Sequence, residues 1–249
     1  MSTERKVVGF DRKLELSWLD AAAAQVASGA TVEELHAYLW KMLDGSVSAG
    51  SSGFNSDRGK TITVLKRIWC LVPDELRPLR DRALDVLKEV KPEERVAVHW
   101  SLCLVAYPFF HDVAEAVGRL LALQGVVQTS EVRRRAAEIW GDRVITRNGS
   151  QRIVRCFVMW GLLDEGDRRG SYVRSKPTTI LSKGAVELLL ESILLSEGGR
   201  SVEVGKLERH PALFAFDVPA LLSTARSSSL VRVERQGVEF EVVGLASRA

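Results

Sequence analysis

Residues 129–176 have the sequence TSEVRRRAAEIWGDRVITRNGSQRIVRCFVMWGLLDEGDRRGSYVRSK, which carries the clearest structural pattern in the chain. It opens with Thr129 or Ser130, either of which can cap a helix, and the helix should run to about Trp140. Apolar residues recur there at spacings that place them on one face. We expect this inward face to consist of Val132, Ala136, Ile139 and Trp140.

A second helix is expected directly after the first. Gly141 ends the first helix, and a short turn leads to Ser150, which we expect to cap a helix that continues to Gly161. The inward positions of this second helix are Ile153, Val154, Phe157 and Trp160. Its outward positions are Gln151, Arg152 and Arg155.

Two short β-rich runs around a glycine-flanked tip complete the stretch. The runs surround the segment from Gly166 to Gly170, and the order helix, turn, helix, β-hairpin predicts a winged helix. In such a module the second helix enters the major groove of DNA, while its neighbour and the wing rest on phosphates. The candidate DNA-binding residues are therefore Arg143, Arg147, Ser150, Gln151, Arg152, Arg155, Arg168, Arg169, Tyr172, Arg174 and Lys176.

The distribution of charge favours the same interpretation. Residues 129–176 carry eleven Lys and Arg against six Asp and Glu, which is +5, whereas the rest of the chain carries 24 basic and 26 acidic residues. The net charge of the whole chain is only +3, so the basic excess lies in this stretch. A local excess of this kind is what phosphate binding requires, and we expect double-stranded DNA as the partner.

The chain before this stretch is expected to be a helical bundle over residues 1–125. Helices are indicated at about 61–72, 74–90, 93–107 and 109–124, with prolines at the joins. Residues 96–110 are apolar on nearly all sides, which predicts a buried central helix. The Gly- and Ser-rich segment 44–59 is expected to be a flexible loop.

A second winged-helix-like subdomain is predicted at residues 184–245. A helix at 184–196, another opened by Asp217 and Pro219, and a hairpin around Gln236 and Gly237 repeat the earlier order. Glutamates dilute its charge, so we expect this copy to be structural or to bind a partner protein. The fold class is thus mainly α with small β-wings.

The chemistry of a catalytic, nucleotide or metal site is not indicated. The segment from Gly53 to Thr61 has five residues between its glycines, where a phosphate-binding loop needs four. The four histidines are scattered and have no ligand spacing, so neither a metal nor another cofactor is expected. The three cysteines fit a reducing compartment, and no apolar run is long enough to span a membrane, which favours a cytoplasmic protein.

Two segments resemble the BrxA family of the bacterial BREX phage-defence systems. They are WSLCLVAYPFF, residues 100–110, with the helix that follows it, and RIVRCFVMWGLL, residues 152–163. The resemblance spans about 14–165 and implies a NusB-like helical bundle joined to a winged helix in a non-enzymatic DNA-binding accessory protein. The Gly/Ser segment 44–59 and the extended C-terminal wing depart from the family's pattern.

Three alternatives remain open at this stage. The wings can dock onto a larger defence or regulatory complex, which would make the protein an interaction scaffold. The helical half can bind RNA, although residues 1–128 show no basic stripe. A winged-helix transcriptional regulator that senses a ligand is the third alternative.

Overall fold

A computed structural model describes residues 7–50, 53–228, 230–236 and 240–246 of the 249-residue chain. The protein is mainly helical, with 62% helix and 11% strand, and its strands form small antiparallel sheets of three strands each. The predicted fold class is confirmed at this level.

Among the described residues, the N-terminal part contains five α-helices. They are α1 (Leu16–Ala27), α2 (Val32–Met42), α3 (Asp57–Trp69), α4 (Arg77–Glu89) and α5 (Arg95–Ala106). The hydroxyl of Thr31 accepts a hydrogen bond from the Glu34 amide, and the Glu34 carboxylate accepts one from the Thr31 amide, so a capping box starts α2. Helix α5 is buried along almost its whole length, as the sequence predicts.

The loop expected at 44–59 ends earlier than predicted. Helix α3 begins at Asp57, because the Ser56 hydroxyl caps it by accepting a hydrogen bond from the Gly59 amide. Arg58 is buried and donates hydrogen bonds to the carbonyl oxygen of Val47 and the carboxylate of Asp44. The last residues of the predicted loop are therefore a helix N-terminus anchored by an arginine.

Residues 108–174 form a first unit of six elements. These are α6 (Pro108–Gln124), β1 (Val126–Gln128), α7 (Thr129–Trp140), α8 (Val144–Met159), β2 (Leu163–Glu165) and β3 (Ser171–Arg174). The strand order is β1-β3-β2, and both pairings are antiparallel. The two helices and the hairpin expected in 129–176 are present, and α6 and β1 join them in packing and pairing.

Residues 183–245 form a second unit in the same order. Its elements are α9 (Lys183–Ser196), β4 (Val202–Glu203), α10 (Val204–Glu208), α11 (Val218–Ala225), β5 (Val231–Gln236) and β6 (Phe240–Leu245). The strand order β4-β6-β5 matches β1-β3-β2 of the first unit. Strands β5 and β6 pair as the predicted hairpin, while Gly237 of its expected turn lies outside the described residues. The helix–strand–helix–helix–hairpin arrangement thus occurs twice.

The two units and the N-terminal helices share one hydrophobic core. Helix α5 packs against α6 of the first unit and α9 of the second. At its centre the ring of Trp100 lies within 6 Å of rings from both units, including Phe157 at 4.9 Å and Phe216 at 5.7 Å. Its indole nitrogen also donates a hydrogen bond to the carbonyl oxygen of Ala212.

Residues 7–15, called here the N-terminal strap, run along one side of α8. The Leu14 amide donates a hydrogen bond to the sulfur of Cys156, and the Trp160 indole donates one to the Leu14 carbonyl oxygen. Phe10 and Leu14 are fully buried. The strap therefore covers one flank of α8.

No single helix among the described residues is long and apolar enough to cross a membrane. The segments Pro92–Ala106 and Pro108–Gln124 meet the length and composition requirement only as a pair, and that pair is bent by 118°.

Candidate nucleic-acid interface

Helix α8 begins at Val144, well before the predicted start at Ser150. Ser150 lies inside the helix, is 0% exposed, and donates its hydroxyl hydrogen bond to the carbonyl oxygen of Arg147. The predicted capping role of Ser150 is wrong, because a serine in mid-helix can satisfy its hydroxyl on the preceding turn. Ser150 is also too buried in this structure to touch a ligand.

The outward face of α8 is a continuous stripe. Exposed residues recur at spacings of three and four, which places them one above the other on the helix. The stripe consists of Val144, Asn148, Gln151, half-buried Arg155 and Met159. Gln151 and Arg155 are therefore on the predicted outward face, and Asn148 is a polar member that the sequence analysis missed.

Arg152 lies at the edge of this stripe and is held by the strap. Its guanidinium donates a hydrogen bond of 2.6 Å to the carbonyl oxygen of Asp11 and lies 3.8 Å from the Asp11 carboxylate. Arg152 is thus partly exposed, as expected, but its guanidinium is bound to the strap and does not point freely outward. The residue joins α8 to the N-terminal strap.

Arg155 is paired with the wing. It donates a hydrogen bond of 2.8 Å to the carboxylate of Glu165 and one of 3.4 Å to the phenol oxygen of Tyr172. The bonds to Tyr172 and Glu165 raise the pKa of Arg155, so its charge is secure. Tyr172 itself is only 5% exposed, and its phenol oxygen helps to hold the Arg155 side chain in place.

Two further arginines lie at the turn between α7 and α8. Arg143 donates a hydrogen bond of 3.0 Å to the carbonyl oxygen of Trp140, and Arg147 lies 3.3 Å from the carboxylate of Asp142. These contacts are at the surface, and such pairs contribute little to stability. Both arginines therefore lie beside the N-terminal end of the α8 stripe.

The tip of the β2–β3 hairpin carries two exposed arginines. The tip is ordered by Ser171, whose hydroxyl accepts from the Arg168 amide and donates to the Arg168 carbonyl oxygen at 2.6 Å. Within the part of the chain that the structure describes, neither Arg168 nor Arg169 has a side-chain partner. Lys176 is likewise exposed. These three cations are available to an external anion.

Arg174 points away from this surface toward the second unit. It donates a hydrogen bond of 3.3 Å to the carbonyl oxygen of Phe216. Burial lowers its pKa, while the nearby Asp217 carboxylate opposes that shift. Arg174 is therefore a contact between the units, and the structure does not bring it to the α8 stripe.

An exposed apolar patch adjoins the same turn. Ile139 is 47% exposed, Val144 65% and Ile145 42%. Ile139 was expected to point inward, but it is largely exposed at the edge of the inward face of α7, whereas its neighbour Trp140 is buried. An earlier predicted start for α8 would have identified Val144 and Ile145 as exposed helix residues.

The corresponding surface of the second unit has a different chemistry. Its third helix, α11, has the sequence VPALLSTA and contains no charged residue. Residues 183–246 carry seven Lys and Arg against nine Asp and Glu, whereas residues 108–174 carry eleven Arg against eight Asp and Glu. The basic, polar helix face belongs to the first unit.

Comparison of the chain with protein-family models, with curated proteins and with solved structures finds no match in any of the three.

Proposed function

We propose that the first unit is a winged helix that binds double-stranded DNA, with α8 in the major groove. The observation that carries the proposal is the exposed stripe of α8, flanked by arginines at the preceding turn and at the hairpin tip. A recognition helix contacts base edges mainly through its N-terminal residues. Those residues here are Val144, Ile145 and Asn148, followed by Gln151.

The side chains of this stripe suit base recognition. Asn and Gln can each form two hydrogen bonds with adenine, and apolar side chains contact the methyl group of thymine. We assign Asn148 and Gln151 to base edges and Val144 and Ile145 to thymine methyl groups. Arg155, already held by Glu165, has a positioning role between helix and wing.

The remaining cations suit the phosphate backbone. Arg143, Arg147, Arg168, Arg169 and Lys176 surround the stripe, and phosphate contacts fix the register of a protein on duplex DNA without reading sequence. Arg152 and Arg174 are left out of this set, because their guanidinium groups hold Asp11 and Phe216.

We propose that the second unit is a winged helix with a structural role. It packs on α4 and α5, and residues 183–246 carry more acidic than basic side chains, which favours support of the first unit over a second DNA contact. The wider assignment follows the resemblance to BrxA: a non-enzymatic accessory protein of phage defence, cytoplasmic, whose N-terminal helices form a NusB-like bundle. Loss of phage resistance in a host lacking the gene is the experiment for that assignment.

The DNA proposal is tested by removing the two hairpin-tip arginines. Arg168→Ala with Arg169→Ala leaves every side-chain contact described above intact, so the fold should be unaffected. Binding of a labelled duplex is measured by fluorescence anisotropy over a series of salt concentrations. Each lost phosphate contact lowers the slope of log K against log salt by about 0.9, so the double variant should lose about 1.8.

A matched control exists in the hairpin of the second unit. Arg232→Ala with Arg235→Ala removes the same charge from exposed positions of β5. This control should bind DNA with the affinity and salt slope of the wild type. Equal losses in both double variants would mean that only net charge matters, and no duplex binding at low salt would refute the proposal.

The second candidate function is protein docking, favoured by the exposed patch of Ile139, Val144 and Ile145. An apolar patch next to a polar face is common at sites where proteins meet. If Val144→Ser with Ile145→Ser leaves DNA binding unchanged but abolishes assembly with a partner protein, docking is the function of this turn. If the same variant changes base preference, the patch belongs to the DNA interface.

A further inference from the structure

Four side chains with metal-binding chemistry meet where the two units join. His111 and Glu115 lie one turn apart on α6, Glu197 follows the end of α9, and His210 precedes the 3-10 turn Pro211–Leu213. One ligand atom from each lies within 4.8 Å of the others. The histidines are far apart in sequence, so only the fold brings them together.

Both imidazoles have a buried nitrogen without a hydrogen-bond partner among the described residues. These atoms are Nε2 of His111 and Nδ1 of His210. His111 is 9% exposed, and the His210 side chain is 8% exposed. Buried polar atoms are normally satisfied, so the unpartnered Nε2 of His111 points to a missing ligand.

The surroundings of His111 resemble those of a metal-bound histidine. Its Nδ1 faces the carboxylate of Asp112 at 3.5 Å, and the other oxygen of Asp112 accepts a hydrogen bond of 2.7 Å from the Trp140 indole. Histidine ligands usually direct their second nitrogen to a carboxylate, which orients the ring. The free Nε2 of His111 is then the atom left for a metal.

The other ligands are already close to coordination distances. His210 Nε2 lies 3.4 Å from Glu197 Oε1. Two ligands of one tetrahedral ion with bonds of about 2.0 Å are separated by about 3.3 Å. A rotation of Glu115, which now pairs with Arg119 at 2.9 Å, would complete the set.

We propose that His111, Glu115, Glu197 and His210 bind a divalent transition-metal ion of the zinc type at the junction of the two units. Two carboxylates balance the charge of the ion, and imidazole nitrogen disfavours Ca²⁺ and Mg²⁺, which take oxygen ligands. Four protein ligands make a closed, structural site. The ion would fasten α6 of the first unit to α9 and the Pro211–Leu213 turn of the second.

The 249-residue chain, treated with chelator and dialysed, is titrated with Zn²⁺ alone in a calorimeter. The expected result is one ion per chain and a rise in Tm. Co²⁺ in place of Zn²⁺ should give the visible absorption of a tetrahedral site with nitrogen and oxygen ligands. Absence of binding, or several weak ions per chain, would overturn the proposal.

Variants assign the site to these residues. His210→Gln and Glu197→Gln should each weaken Zn²⁺ affinity by about 100-fold or more, since even outer-shell changes cost up to that factor. His36→Gln, a histidine on α2 outside the cluster, should bind as the wild type does. His111→Gln serves as an independent ligand variant should His210→Gln fail to fold. Wild-type affinity in a folded ligand variant contradicts the proposal.

A DNA-binding measurement on the metal-free protein distinguishes failure of the metal proposal from failure of the proposed function. None of the four proposed ligands belongs to the α8 stripe, so the metal-free protein should still bind duplex DNA at temperatures below its lowered Tm.

Discussion

Gly118 on α6 has no side chain, which allows the turn at Pro211 to pack closely against this helix. A Cβ atom at this position would overlap the carbonyl group of Pro211, which starts the 3-10 turn of the second unit. Gly118→Ala should therefore lower the free energy of unfolding by about 1–3 kcal/mol, the usual cost of overpacking. Urea unfolding followed by far-UV circular dichroism measures the change.

Gly205→Ala is the matched control for Gly118→Ala. Gly205 lies in α10, and an added Cβ would meet only side-chain atoms at 3.6 Å. Alanine favours a helix over glycine by up to about 1 kcal/mol, so this variant should be neutral or more stable. A stabilising Gly118→Ala would show that α6 and the turn do not approach as closely as described.

The three free cysteines should differ in reactivity because of burial. Thiolate is the nucleophilic form, and burial raises the pKa of Cys103 and raises that of Cys156 to about 12. Cys70, at the end of α3, is only partly buried. A disulfide reagent at pH 8 should therefore label only Cys70 in the native protein, and all three cysteines in denaturant.

Cys70→Ser should abolish the native labelling. Rapid modification of a second thiol in the folded protein would contradict the burial of Cys103 and Cys156.

The sequence identified which residues of α8 face outward better than it identified their roles. Helical spacing correctly predicted that Gln151 and Arg155 are exposed or half-buried and that Ile153 and Phe157 are core. It could not predict that Arg152 binds Asp11, because that partner lies 141 positions away in the chain. A local pattern defines a helix face, while distant residues decide which cations on it remain free.

Helices α1 and α5 are joined by a buried polar contact. His99 on α5 is fully buried and lies 2.8 Å from the Asp20 carboxylate on α1, which Arg95 also contacts at 2.7 Å. Burial lowers the pKa of His99, and the hydrogen bond to Asp20 only partly offsets this. The folded state therefore favours the neutral imidazole.

This contact predicts a loss of stability in mild acid. In the unfolded chain His99 takes up a proton near pH 6.5, whereas in the folded chain it does so only at lower pH. Its contribution is thus present above about pH 6.5 and is lost as the pH falls through that value toward the folded pKa. The slope from one such group reaches about 1.4 kcal/mol per pH unit at most.

Urea titrations between pH 5 and pH 8 measure this slope in the wild type and in His99→Gln. The pKa of Asp20 is lowered, because the contacts with His99 and Arg95, which stabilise its carboxylate, outweigh the effect of burial, which raises the pKa. Asp20 therefore stays ionised over this range. The variant should be less stable throughout and have a shallower slope. An unchanged slope would mean that His99 does not titrate differently on unfolding.

The elements that the sequence analysis missed are short or depend on distant partners. Helix α10 has five residues and β4 has two, too few for a hydrophobic period to be recognised. Strand β1 is defined by its pairing with β3, where Val127 opposes Tyr172. Arg143, the N-cap residue of α8, makes no side-chain capping hydrogen bond, so the sequence pattern points to the next serine, Ser150, as the start of the helix.

The two units and the N-terminal helices are built on one hydrophobic core. Helix α5 contacts both units, α4 packs on α9, and the ion pair between Arg82 and buried Glu191 lies in that second contact. Helix α6 and β1 precede residue 129 in sequence but pack with the elements that follow it. The periodicity that marks helices carries no information about which of them share a core.

This shared core predicts one cooperative unfolding transition for the whole chain. Trp100 comes from α5 and the rings around it come from both units, so the near-UV circular dichroism of this cluster should be lost together with the far-UV signal of the helices. A fragment of residues 129–176 should be unfolded, because it lacks α6, β1 and the strap that covers α8. Separate midpoints for the two signals, or a folded fragment, would show that the first unit is stable without its neighbours. In that case the proposed DNA binding should be retained by the fragment alone, whereas a single transition predicts that the proposed DNA binding requires the entire folded molecule.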